Sequence, residues 1–152
     1  MKPFFSVVIS VYNKAEYIKE TISSVLNQSF VHFELIVIND GSTDASEQII
    51  NTFTDKRLRL ITTANQGASK ARNTGMSKAS SNYISLLDGD DLWDIDYLKT
   101  MQDAILKYPK IKVFAAALAQ KYKSKTIPVN YNFTQDPLFK VHDYFKSSLK
   151  YS

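Results

Sequence analysis

Asp88, Gly89, Asp90 and Asp91 close an apolar run, Tyr83-Ile84-Ser85-Leu86-Leu87, that reads as a buried strand. Three carboxylates within four residues repel one another, which raises pKa values and costs free energy. Turn formation does not need three charges. A divalent cation offsets the repulsion, because Mg²⁺ and Mn²⁺ take hard oxygen ligands and bridge a few carboxylates to substrate phosphates. The stretch is therefore the expected active centre, with Mg or Mn as its cofactor.

Strands and helices must carry such a site, and the apolar pattern supplies them. Residues 4–11, 34–38, 57–62 and 83–87 are short apolar or β-branched runs and read as strands, as does 111–119. Helical spacing covers 14–28, 45–54, 68–79 and 94–108, the last closed by Pro109. Asp44, with Glu47 three residues on, reads as a capping box for the second helix. Strands alternating with helices predict an α/β fold, doubly wound, with a mainly parallel sheet and helices on both faces. Beyond residue 120 the pattern fades, leaving one short helix expected at 138–149.

Composition excludes several chemistries. The 152 residues contain no Cys, so disulfides, thiolate nucleophiles and Cys-based zinc sites are out. His32 and His142 are too few and too far apart for a His-rich metal site. Residues 1–120 balance 13 basic against 13 acidic groups, so the net charge of +4 belongs to residues 121–152, with six Lys and two Asp. Such a segment reads first as a solvated end and second as a contact for an anionic membrane surface. The N-terminus lacks the features of a signal peptide, and no apolar run reaches a membrane span.

In an open α/β sheet, ligands bind outside the carboxyl ends of the strands. Four such ends are readable: Ser10-Val11-Tyr12-Asn13, Asn39-Asp40-Gly41-Ser42, Asn65-Gln66-Gly67 and Asp88-Gly89-Asp90-Asp91. Three of the four glycines fall there; Gly75 is the exception. No G-x-G-x-x-G or G-x-x-x-x-G-K-[ST] is present, so neither a dinucleotide fingerprint nor a P-loop accounts for this edge. An acidic face takes phosphate through a metal. A metal on Asp90 or Asp91 would neutralise a diphosphate, nearby carboxylates would bind ribose hydroxyls, Tyr12 would stack on a base and Asp40 would accept a base N–H. Trp93 reads as a packing residue rather than a sugar platform.

The blocks SVVISVYNKAEYIKETISSVLNQSF, FELIVINDGSTD, NQGASKARNTG and YISLLDGDDLW, in this order over about residues 5–108, closely resemble the family 2 inverting glycosyltransferases of the GT-A fold. The resemblance implies a sugar-nucleotide donor, commonly a UDP-sugar, and a glycan, lipid-linked or other hydroxyl acceptor. It places Asp88-Gly89-Asp90 on the family's D-x-D, followed by Asp91, with ribose and metal as ligands. It puts Tyr12 and Asp40 at the base, Ser10 and Val11 in the same pocket, and Arg72 near the diphosphate.

The family often has D-D-G-S where this chain has Asn39-Asp40-Gly41-Ser42. Its catalytic base is a carboxylate well beyond the D-x-D, and neither Asp136 nor Asp143 lies in that context. The base is therefore expected beyond Ser152. Residues 1–120 are expected to form the nucleotide-sugar-binding domain, and 121–152 to begin the acceptor-binding part, so that the fold is truncated at its C-terminus.

The expected setting is cell-surface polysaccharide biosynthesis in the cytoplasm, with peripheral contact at the inner membrane face. A second copy of the chain is among the expected partners; nucleic acid is not. Two alternatives stand beside this reading: a truncated, non-catalytic nucleotide-binding module, and another metal-dependent phosphate-handling α/β protein. The latter needs an acidic pair or nucleophilic Asp after the first strand, where Tyr12-Asn13 stands.

Overall fold

Runs of Val, Ile and Leu have no polar face to turn to water, so they settle where both sides are covered. β1 (Phe5–Val11) and β2 (Phe33–Asn39) occupy that position. A computed structural model describes residues 2–116, 119–122 and 125–128 of the chain. In it β1 and β2 are the central pair of a parallel sheet of order β3-β2-β1-β4, flanked by β3 (Leu58–Thr62) and β4 (Tyr83–Asp88). The register sets Val8 between Ile36 and Leu86, and Ser10 between Ile38 and Asp88.

Side chains alternate across a strand, so each strand divides its residues between two faces. One face presents Val8, Ile36 and Ile38 to Ala71 of α3 (Ala68–Ser77), with Ile61 and Ala79 packed alongside. Gly75 lets that helix come close. A Cβ there would lie 2.2 Å from Val8 Cγ1 and 3.2 Å from Ile38 Cγ1, so any larger residue would push α3 off the sheet. The opposite face carries Val7, Ile9, Val11, Leu35 and Val37, all buried. Asn39 shares that face and donates to Glu47 of α2 (Ser46–Ile50), which places α2 there. α1 (Ile18–Leu26) packs with α2 and buries Ile18, Thr21, Ile22 and Val25, a stripe at helical spacing. The expected doubly wound fold is what the chain adopts.

Several local readings need correction. The helix expected from residue 14 begins at Ile18, after a turn in which the Lys14 carbonyl accepts the N–H groups of Tyr17 and Ile18. The capping box does not form: Ala45 is the N-cap of α2 and has no side-chain cap bond. Asp44 Oδ1 accepts the Ser46 N–H at 2.9 Å, but Glu47 turns to Asn39 and Thr62 instead of back to the cap. β4 is not a fully buried strand: Tyr83, Ile84 and Leu86 are exposed and Leu87 is buried. Among the described residues it pairs with β1 alone.

The chain divides after Thr100 into two compact units. The second takes up α4 (Tyr97–Lys107) from Met101 onward and contains an antiparallel pair, β5 (Ala119–Tyr122) with β6 (Lys125–Pro128). Of the strand expected at 111–119, residues 111–116 carry no regular structure and Val113 is 79% exposed, 117–118 lie outside the described residues, and Ala119 opens β5. An apolar run becomes a strand only beside another strand, and among the described residues none pairs with 111–116. The helix expected at 138–149 lies outside the described residues, as does most of the basic segment.

At the amino ends of the strands, Glu34 Oε1 accepts hydrogen bonds from Ser6 Oγ, Ser80 N–H and Ser80 Oγ. Ser81 donates its N–H to Ser6 Oγ and its hydroxyl to the Phe4 carbonyl. Burial pushes the Glu34 carboxyl up, but these bonds outweigh it and hold the group below its ordinary value of 4.5. A folded-state pKa below the unfolded one means stability that is complete above about pH 4.5 and is lost as pH falls through the folded value. Urea midpoints taken from pH 6 down to pH 3 should therefore fall more steeply for the wild type than for Glu34→Gln. Parallel acid limbs would rule this out.

Candidate functional site

The strand order reverses at β1. The chain leaves β1 through α1 toward β2 on one side, and returns through α3 to β4 on the other. At such a switch point the loops after the two strands diverge and leave a crevice. Here the crevice is a cleft of about 420 Å³, walled by Ser10, Val11, Tyr12 and Lys14 after β1, Asp40 after β2, Asn65, Gly67, Ala68, Ala71 and Arg72 around the start of α3, and Asp88 to Asp90 after β4.

Of the residues expected from sequence, Ser10, Val11, Tyr12, Asp40, Arg72, Asp88, Gly89 and Asp90 line this one cleft. Asp91 does not. In a tight turn consecutive side chains diverge, so adjacency in sequence does not carry Asp91 onto the wall. Burial pushes the Asp91 carboxyl above its ordinary value, with Asp90 and then Asp88 adding to the rise. Trp93 stacks on Tyr97 with ring centroids 4.1 Å apart, the packing role expected of it.

The two other acids of that turn each hold a cation. Asp88 Oδ1 lies 2.5 Å from the Arg72 guanidinium, and Asp90 Oδ2 lies 2.5 Å from the Lys14 ammonium. The Asp90 hydrogen bond holds Lys14 above its ordinary pKa, so it stays charged. Lys14 was not among the residues singled out from sequence. A lysine at the start of a helix looks like a solvated side chain, and only the fold brings residue 14 beside residue 90.

Asp40 is 3% exposed and organises the β3–α3 loop. Its Oδ1 accepts the Gln66 N–H at 3.0 Å and the Thr63 hydroxyl at 3.3 Å; its Oδ2 accepts the Gly67 N–H at 2.8 Å. A carboxylate has about four lone-pair sites, so acceptor capacity toward the cleft remains.

The loop after β1 is fastened to the loop after β2. Asn13, at φ +52°, donates its N–H to Ser42 Oγ and accepts the Thr43 N–H on Oδ1. Lys14 N–H donates to Ser46 Oγ, and Ala15 N–H to Asp44 Oδ2. Burial opposes ionisation of Asp44, yet the hydrogen bonds from Ser46 and Ala15 hold its carboxyl below the usual range. Tyr12 and Lys14 therefore sit on a backbone tied at three successive residues.

Hard carboxylate oxygens at Asp88 and Asp90 suit Mg²⁺ or Mn²⁺. Among the described residues no group of three acidic or imidazole ligands forms a protein-only cage. The donor set thus fits a metal that takes one or two carboxylates and completes its shell with phosphate and water.

A family model described as glycosyl transferase family 2 matches residues 6–151. The chain belongs to that family. Glycosyltransferase GlyA of Streptococcus pneumoniae is 39% identical over 105 residues, 68% of this chain and 15% of that protein. The minor teichoic acid biosynthesis protein GgaA of Bacillus subtilis is 39% identical over 107 residues, 65% of this chain and 24% of its own length. Among solved structures, Staphylococcus aureus TarS 1–349 in complex with UDP-GlcNAc superposes with a TM-score of 0.66 at 32% identity, covering 72% of this chain and 32% of that one. The mannosyltransferase PcManGT of Pyrobaculum calidifontis, in complex with GDP-Man and Mn²⁺, gives 0.59 at 26% identity, covering 69% and 32%. This family 2 chain therefore spans less than a quarter of the two named relatives and about a third of the two solved chains.

Proposed function

We propose that this family 2 domain binds the nucleoside diphosphate of a sugar nucleotide, a UDP-sugar first, and serves its transfer with inversion to an acceptor hydroxyl. The observation that carries this reading is the convergence of Tyr12, Asp40, Arg72, Asp88 and Asp90 on one cleft at the switch point. Tyr12, 46% exposed, offers a face for the base, and Asp40 a remaining acceptor for a base N–H. Asp88 serves the ribose hydroxyls, and Arg72 beside it faces the phosphates. Asp90 would hold the divalent metal, whose positive charge stabilises a departing diphosphate.

The general base is assigned to none of these acids. The Asp40, Asp88 and Asp90 carboxylates are each already engaged within the cleft. The complexes of TarS with UDP-GlcNAc and of PcManGT with GDP-Man and Mn²⁺ support a nucleotide-sugar donor and a metal. The name of GgaA supports a cell-surface polymer as the product. A cytoplasmic location with peripheral membrane contact belongs to the same proposal.

Calorimetric titration of the 152-residue chain with UDP, with and without Mn²⁺, tests it. Binding should appear with Mn²⁺ and weaken at least tenfold in Asp90→Ala, while sugar transfer by this chain alone stays low. UDP binding indifferent to both metal and Asp90 would overturn the metal role. No nucleotide binding at all would favour a non-catalytic module.

A further inference from the structure

We propose that Lys14 is a resident counter-cation of the cleft, which a divalent metal must displace from Asp90 and whose released ammonium then engages the nucleotide diphosphate. The inference rests on the nucleotide-binding reading above and assigns a residue which that reading does not use.

Lys14 is seated from end to end. Its N–H is held by Ser46 Oγ at 2.9 Å, and its carbonyl starts α1 by accepting the N–H groups of Tyr17 and Ile18. Its stem crosses Gly89, where a Cβ would come within 3.4 Å of Lys14 Cγ and 3.1 Å of the Ser10 carbonyl oxygen. The Lys14 stem thus lies alongside Gly89 on its way to Asp90. The ammonium ends 2.5 Å from Asp90 Oδ2.

A metal that bonds to Asp90 needs that same oxygen-bearing group. The ammonium and the metal carry like charge, so they do not share one carboxylate at close range. Asp88 offers the displaced ammonium no alternative seat while Arg72 is paired with it. The Lys14 and Asp90 side chains are 35% and 39% exposed, so solvent screens the pair and little free energy opposes its exchange. A displaced Lys14 remains on the wall of a cleft that receives phosphates, and a flexible ammonium binds phosphate as a point charge.

Displacement and re-use predict effects of opposite sign. In the full chain, Lys14→Met should bind Mn²⁺ alone about three- to tenfold more tightly, read by the Mn²⁺ electron paramagnetic resonance signal without nucleotide. With Mn²⁺ saturating, the same variant should bind UDP about tenfold more weakly by calorimetry. Placing Asp90→Asn beneath Lys14→Met should erase the gain in Mn²⁺ affinity, because the competition acts through that carboxylate. Lys14→Arg keeps the charge and should behave as the wild type on both measurements, which guards against misfolding of the Met variant.

Lys14→Met leaving both affinities unchanged, or weakening both, would overturn the proposal while wild-type UDP binding left the nucleotide reading intact. A wild type that binds Mn²⁺ but no UDP would sink the nucleotide reading, and the Mn²⁺ competition would still be read on its own.

Discussion

Asp40→Ala should lower the unfolding free energy by about 3 kcal/mol, since hydrogen bonds to a charged group contribute about 1.5–3 kcal/mol each. The carboxylate holds the backbone N–H groups of Gln66 and Gly67 and the Thr63 hydroxyl, so its removal releases the β3–α3 loop. Gln66 and Gly67 are exposed, and water entering the space will recover part of the loss, which keeps the total near a single strong bond pair. Asp40→Asn should restore no more than half. One of its two terminal atoms becomes a donor facing an N–H donor. Urea denaturation gives the energy, and amide exchange gives the place: protection of the Gln66 and Gly67 amides should be lost. Unchanged exchange at those two amides would show that the carboxylate is not what holds the loop.

The second large effect is expected one residue earlier. Asn39 is fully buried, donates from Nδ2 to Glu47 Oε2 at 2.9 Å and accepts the Ser42 N–H on Oδ1 at 3.0 Å. Asn39→Asp replaces the donor with an oxygen and brings two carboxylates together. Leaving a buried charge without a compensating partner costs about 3–5 kcal/mol, and the half-exposed Glu47 keeps the expected value near 3 kcal/mol at pH 7.5.

The new carboxyl would titrate above the ordinary value of about 3.9 in the folded state. The penalty should therefore vanish below about pH 4 and grow as pH rises through the raised folded value. Adding Glu47→Gln should recover most of the loss, because the two groups form one contact and their effects are not additive. A pH-independent penalty, or one that the double variant keeps in full, would count against a like-charge origin.

Sequence was most informative where two independent constraints coincide. β1 and β2 are legible because a run such as FFSVVISV, too short for a helix, is followed by turn residues. The cleft was legible because strand ends in a doubly wound sheet share one edge, so Ser10, Tyr12, Asp40 and Asp88 could be gathered without coordinates, while Arg72 came from the family resemblance. Reading failed where a partner decides. IKVFAAALA has the composition of a strand, yet among the described residues 111–116 have no strand beside them. β4 has the composition of a central strand and lies at an edge among the described residues. Lys14 and Asn39 were missed for a shared reason: each matters through a residue brought near by the fold, Asp90 and Glu47, and no local pattern announces such a pair.

The fastening between the loops after β1 and β2 bears on how this rim can be exchanged. Asn13, Lys14 and Ala15 take their bonding partners from Ser42, Thr43, Asp44 and Ser46, and the reverse is equally true. Each loop takes part of its conformation from the other. A chimera that imports residues 12–17 without 40–46 would arrive with donors and acceptors aimed at groups that are no longer there. The two loops are one heritable part, and recombination or loop grafting among relatives should succeed only when both halves travel together.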